Sequence, residues 1–208
     1  MLTPKQIRIF EVFLRKPYKE VTYKEIKEFS REKSNSIIQT ALIKFLSDEL
    51  VMKRGVGNIN LYSINFENSS VFAYFDILIK EKTPKLLRAS LKIIREELSN
   101  VEFISIVIFG SYAEGKQKEK SDLDVAIFVN SVNDKKSCEF AMKSAELKSI
   151  LPLDVHVITK NEMRQMLKDK NENLGKQIAC KHLAVYNPII FYSILAEGIN
   201  NGFKIIYS

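Results

Sequence analysis

Apolar residues recur at helical spacing through the first fifty positions, and they set the first elements. Thr3 before Pro4 reads as an N-cap with proline in the first helical turn. Ile7, Phe10, Phe13 and Leu14 then carry one stripe up to Pro17. Thr22 with Glu25 forms a capping-box pattern that opens a short second helix, TYKEIKEF. Ile38, Ala41, Leu42, Phe45 and Leu46 predict a third helix from Ser34 to Leu50. Two strand-like runs follow, around a turn at Gly55–Asn58. Residues 69–98 predict one or two helices, with Val71, Phe72, Phe75, Leu78 and Ile79 before Pro84 and Leu87, Leu91, Ile94 and Leu98 after it.

From Val101 the period changes. Strands are predicted at 104–110, 122–129 and 153–159, with a helix at 135–151 between the last two, which is an α/β alternation. Helices are expected at about 161–169 and 172–181. In the last, NPIIFYSILAEG, Asn187 reads as the N-cap, Pro188 as the first position and Gly198 as the stop.

The 208 residues are 46% hydrophobic and 27% charged, enough apolar material for a core. That composition excludes a disordered chain, a collagen or a bare coiled coil. No apolar run suits a bilayer span, and MLTPKQIRIF lacks the apolar region of a signal peptide. Cys138 and Cys180 read as free thiols, too few for a disulfide framework or a cysteine-built zinc site. The expectation is a soluble cytoplasmic protein without a membrane partner. The net charge of +7 is uneven, since residues 1–66 hold twelve basic against seven acidic side chains. Such an excess suits an anionic partner or a solvated lysine-rich surface, and charge alone leaves both open.

The segment IFGSYAEGKQKEKSDLDVAIFV carries the chemistry. Asp122 and Asp124 alternate on a predicted strand and so share a face. Two neighbouring carboxylates repel unless a cation lies between them, and Mg²⁺ favours one or two carboxylates plus substrate phosphates. Gly110 lets the backbone approach a ligand, and Ser111 opens the next helix, where N–H groups and a hydroxyl suit phosphate. Lys116 and Lys120 lie in the intervening loop, within reach of a triphosphate or simply solvated. Asp154 on the third strand offers a third carboxylate, sharing its face with His156. Three carboxylates suit a two-metal site, one ion for the triphosphate and one for the attacking hydroxyl.

Gly110-Ser111, ten residues, Asp122-Leu123-Asp124 and then Asp154 resemble the signature of the minimal nucleotidyltransferases of the polymerase-beta-like superfamily, over roughly residues 90–160. The resemblance implies that Asp122, Asp124 and Asp154 are catalytic and bind two Mg²⁺ ions. It implies that Gly110 and Ser111 hold the β,γ-phosphates and that Asp154 activates the acceptor. The reaction would move a nucleoside monophosphate from an NTP, ATP being expected, to a hydroxyl with release of pyrophosphate. Protein acceptors such as a toxin occur in the family, where such enzymes often act as antitoxins, and small-molecule acceptors such as aminoglycosides occur in the superfamily; the sequence offers nothing that chooses among protein, nucleic acid and small molecule.

Three helices and a hairpin over residues 1–66 follow the order of a winged helix-turn-helix domain, a module that binds double-stranded DNA or serves protein interaction and dimerisation; the basic excess favours DNA. Its third helix would offer Ser34, Asn35, Ser36, Gln39 and Lys44, and its wing Lys53 and Arg54. The fold class is thus α/β (α+β): this winged domain at 1–66, a helical linker at 67–100, and at 101–208 a nucleotidyltransferase fold with a small mixed sheet and C-terminal helices. A homodimer is compatible with the sequence. The competing reading is a DNA-binding transcriptional regulator or antitoxin whose nucleotidyltransferase fold senses nucleotide without turnover.

Overall fold

The computed structural model describes residues 1–205. The chain divides into two compact units, Met1–Lys82 and Thr83–Ser208, and the division falls within the stretch expected to act as a linker.

The first unit holds α1 (Pro4–Arg15), β1 (Val21–Thr22), α2 (Tyr23–Ser30), α3 (Asn35–Ser47), β2 (Val51–Val56), β3 (Ile59–Ile64) and α4 (Ser70–Lys82). Thr3 and Thr22 each close a full capping box, with Gln6 and Glu25 as the reciprocal partners. The helical stripes converge on an aromatic core in which Phe10 packs edge-on against Phe45 with ring centroids 5.2 Å apart. Phe13 and Phe75 join it. The third helix ends at Ser47, short of the expected Leu50, because Glu49 turns the backbone left-handed at φ 54° and directs the chain into β2. Gly55 pairs with Asn60 inside the hairpin ladder, so the turn narrows to Gly57 and Asn58. Two-residue β1 adds an unexpected third strand, paired antiparallel with β3.

The second unit holds α5 (Lys85–Glu97), β4 (Ser105–Phe109), α6 (Gly110–Glu114), β5 (Leu123–Val129), α7 (Val132–Lys148), β6 (Leu153–Thr159), α8 (Lys160–Lys168), α9 (Leu174–Cys180), β7 (His182–Tyr186) and α10 (Pro188–Asn200). The small mixed sheet has the order β6-β5-β4-β7, in which only β5 and β6 are parallel. Their connection is the long helix α7, the kind of crossover a parallel pair requires. That helix begins three residues earlier than expected, because Ser131 and Asp134 form a capping box. One sheet face buries Ile106, Ile108, Val125 and Ile127 against Leu87, Ile94, Cys138 and Met142 of α5 and α7. On the other face Phe128 meets Phe191 of α10 at 5.0 Å between ring centroids.

Strand β7 escaped the hydrophobic pattern, since HLAVY is short and does not alternate. Asn187 sits at φ 43° and makes no side-chain cap; its Nδ2 instead donates to the Ile104 carbonyl at 3.0 Å. The last helix runs through Gly198 to Asn200, so Gly198 is not its stop. A Cβ there would lie 2.6 Å from Leu167 Cδ1, so the glycine serves close packing of α10 on α8. Among the described residues no helix is long and apolar enough to cross a membrane. Both cysteines are free, and burial pushes the Cys138 thiol up to about 11.

Candidate active site

The end of β4 and the starts of β5, β6 and β7 meet at one edge of the second unit's sheet, because β4 is antiparallel to β5 and β7 while β6 runs with β5. Phe109 closes β4 and the chain turns at Gly110, whose φ of 63° lies in the left-handed region. A Cβ at Gly110 would fall within the Asp124 carboxyl group, 2.8 Å from its Cγ. The glycine therefore makes room for the aspartate. The next residue fixes it, as the Ser111 backbone N–H donates a hydrogen bond to the Asp124 carboxylate. That N–H, expected to face phosphate, is already engaged.

Asp124 stands opposite Asp154 in the parallel ladder. Burial pushes the Asp124 carboxyl up from its ordinary range, and the negative charges of Asp154 and Asp122 push it further; His156 and the Ser111 N–H act the other way. Asp122 lies one residue before β5, exposed, at the mouth of the site rather than within the strand. Asp154 is exposed too, and its Oδ1 lies 3.3 Å from His156 Nε2. The His156 ring in turn packs against Phe109 with centroids 5.8 Å apart.

Among the described residues no group of three or more His, Cys, Asp or Glu side chains is placed to hold a metal ion by itself. The donor set nonetheless fits a hard divalent cation. Mg²⁺ takes one or two carboxylates, fills its other positions with water and phosphate oxygens, and here would offset the mutual repulsion felt at Asp124.

The basic residues are less free than their sequence positions suggested. Lys116 Nζ pairs with Glu114 Oε2 at 2.7 Å. Lys181 Nζ, just before β7, pairs with Glu114 Oε1 at 2.9 Å. The two hydrogen bonds hold the Glu114 carboxyl down at about 2, that from Lys116 contributing most. Lys120 is exposed on the loop. Lys181 was not legible as a site residue, because only the pairing of β7 with β4 carries it to α6. His182, beside it, bonds the Ile178 carbonyl through Nδ1 at 3.0 Å and packs edge-on against Phe191. Its Nε2 is buried without a hydrogen-bond partner among the described residues, and burial pushes the imidazole down to about 4.

In the first unit, Asn35, Ser36 and Gln39 are exposed on α3, and Lys53 is exposed on β2. Ser34 Oγ caps α3 by accepting from the Ile37 N–H at 3.4 Å, so it is not poised as a base-reading hydroxyl. Lys44 pairs with Asp48 at 2.8 Å, and Arg54 makes a two-pronged pair with Glu20. A cavity of about 740 Å³ lies between α3 and the hairpin, with Gln39, Ile43, Lys53 and Ile59 in its walls.

The comparisons agree with the geometry of the second unit. The family model of the nucleotidyltransferase domain matches residues 87–178. Three proteins of Methanocaldococcus jannaschii, each named "putative protein adenylyltransferase", are similar to this chain. One is 38% identical over 79 residues, which is 38% of this chain and 86% of the relative. The second is 34% identical over 79 residues, 38% of this chain and 76% of the relative. The third is 40% identical over 63 residues, 30% of this chain and 66% of the relative.

Proposed function

The chain belongs to the nucleotidyltransferase family, and from that premise we propose that it is a Mg²⁺-dependent enzyme that moves AMP from ATP to a hydroxyl of a protein. The observation that carries this reading is the ladder position of Asp124 opposite Asp154 beside the Gly110–Ser111 turn. The protein acceptor is taken from the names of the relatives.

Asp122 and Asp124 would hold the ion that neutralises triphosphate charge, and Asp154 would join them around a second ion that makes the acceptor hydroxyl more acidic. Ser111 offers its hydroxyl to the β,γ-phosphates while its backbone N–H keeps Asp124 in place. Lys116 and Lys181, gathered on Glu114, supply positive charge on the α6 side, and Lys120 supplies it from the loop. Asp154, more exposed than Asp124, takes the proton of the incoming hydroxyl. The hydroxyl oxygen forms a bond to the α-phosphorus, the bond from that phosphorus to the β-phosphate bridge breaks, and pyrophosphate leaves. Positioning and charge neutralisation do most of the catalytic work in such a transfer.

The test is incubation with α-labelled ATP, Mg²⁺ and a cell lysate, comparing wild type with Asp124→Asn. Label on protein that phosphodiesterase removes and that needs Asp124 is expected. Aspartate-dependent label on RNA or small molecules alone would overturn the protein acceptor. ATP binding without any transfer would favour a nucleotide-sensing regulator.

For the first unit we propose a winged helix-turn-helix that binds duplex DNA through Asn35, Ser36 and Gln39 of α3 and Lys53 of the hairpin. Support comes from the exposed polar side chains on α3 and the basic excess of residues 1–66. Arg54 and Lys44 would join only by leaving Glu20 and Asp48. Salt-dependent binding of duplex DNA that weakens on Gln39→Ala and Lys53→Ala is expected; no binding at low salt would overturn it.

A further inference from the structure

Among the described residues strand β6 lies at the end of the sheet and has a neighbour on one side only, β5. The Leu123 N–H donates to the Pro152 carbonyl at 2.8 Å, so the even-numbered residues of β6 turn their backbone groups toward β5. The odd-numbered ones face outward. At Thr159 that outer position is satisfied, because its N–H donates to Glu162 Oε2 at 2.7 Å. At Val155 and Val157 the outward N–H groups have no hydrogen-bond partner among the described residues. An open ladder of this kind is a template for another extended chain.

The edge lies along a cavity of about 620 Å³, with Val155 and Val157 at its base, Lys135 and Glu139 of α7 on one side, and Gln165 and Met166 of α8 on the other. Lys135 and Glu162 pair at 2.7 Å between the two helices beside the Thr159 end, and Asp154 near the other end of the strand is exposed. A second copy of β6 would bring its own α7 and α8 with it and set wall against wall. A lone extended segment brings no walls.

Residues opposite each other on neighbouring strands project to the same face, spaced about 4.8 Å apart. Asp124 and Asp154 already form such a row. The next place in it belongs to whatever residue of an added strand stands opposite Asp154.

We propose that the protein acceptor docks as an added β-strand on the outer edge of β6, with its reactive hydroxyl residue opposite Asp154. This rests on the reading of the chain as a protein-directed nucleotidyltransferase. Affinity comes from backbone hydrogen bonds to Val155 and Val157, and selectivity from alternate side chains of the guest. The bond made and broken is that of the transfer described above, with Asp154 taking the hydroxyl proton.

The test uses the full chain and a displayed library of random peptides, as long as β6, with one fixed tyrosine. Binders are expected to slow amide exchange of Val155 and Val157 by about tenfold or more. N-methylation of the ladder-facing peptide amides is expected to abolish binding, and this control leaves the enzyme unaltered. Val155→Pro, which removes an outward N–H, should lose the peptide while binding Mg²⁺–ATP as the wild type does. An absence of binders, or binders that protect other amides or tolerate N-methylation, would overturn the proposal. So would protection at Val155 and Val157 that rises with protein concentration without peptide, which would assign the edge to a second copy. Exchange is read without turnover, so the two ideas fail separately: AMP transfer to protein with a free edge removes only the docking mode, and peptide on the edge without transfer removes only the activity.

Discussion

The space that Gly110 leaves empty is filled by the carboxylate of Asp124. A Cβ at position 110 would lie 2.8 Å from Asp124 Cγ, and the backbone at φ 63° disfavours any L side chain. Glycine and aspartate are thus one device, although thirteen residues separate them. Gly110→Ala is expected to displace the carboxylate, with a loss of transfer of about a hundredfold or more and about 1–3 kcal/mol of stability. Ser111→Ala keeps the backbone N–H on Asp124 and removes only the hydroxyl. It should raise KM for ATP more than it lowers kcat. Steady-state transfer assays and thermal melts on both variants separate the two effects.

Asp124 and Asp154 differ in setting and are expected to differ on substitution. Asp124 is half-buried and bonded to Ser111, whereas Asp154 is exposed. Asp124→Asn should weaken binding of a nonhydrolysable ATP analogue in the presence of Mg²⁺ by about tenfold or more. Asp154→Asn should leave that binding within a few-fold and lower transfer by about a hundredfold or more. Calorimetry for binding and labelled ATP for transfer decide the matter; equal loss of binding in both variants would contradict the division of roles.

His182 sets a pH dependence of stability. Its imidazole titrates at about 4 in the fold, against 6.5 ordinarily, because burial disfavours the charged form. The unfolded chain therefore takes up this proton first as pH falls. Stability from the neutral ring is fully present above pH 6.5 and lost progressively down to about pH 4, amounting to about 3 kcal/mol. Urea unfolding between pH 7 and pH 4 should show that loss, and His182→Gln should flatten it. An unchanged slope in the variant would show that other groups set the dependence.

Glu20 masks the charge of Arg54 on the hairpin. The pair is exposed, so its loss should leave the thermal midpoint essentially unchanged. Glu20→Ala is expected to free the guanidinium, tighten duplex DNA binding several-fold at low salt and steepen the salt dependence. Fluorescence anisotropy across a salt series measures both. Unchanged affinity and slope would remove Arg54 from the proposed DNA face.

Much of this was legible in the amino-acid order because the relevant rules are short-ranged. The capping boxes at Thr3 and Thr22 act over three residues, and the α1 stripe of Ile7, Phe10, Phe13 and Leu14 spans two turns. What failed also has short-range reasons. Glu49 ends α3 early through a left-handed turn that carries no glycine to announce it. Gly198 looked like a helix stop, but a contact with Leu167 some thirty residues away explains it. Strand β7 is too short to show a period, and Lys181 depended on it.

The family-like spacing of Gly110, Ser111, Asp122, Asp124 and Asp154, most of the helices, and the strands β4, β5 and β6 that position the carboxylates are written in the order of residues alone. Packing sets which carboxylates stand opposite each other, that Ser111 spends its N–H on Asp124, that Lys181 joins Lys116 on Glu114, and that the outer edge of β6 is open among the described residues. The difference is one of range. Caps and periodicity follow from interactions within a few bonds along the chain, whereas strand order and register follow from which apolar faces can be buried together, a choice made only when distant segments pack.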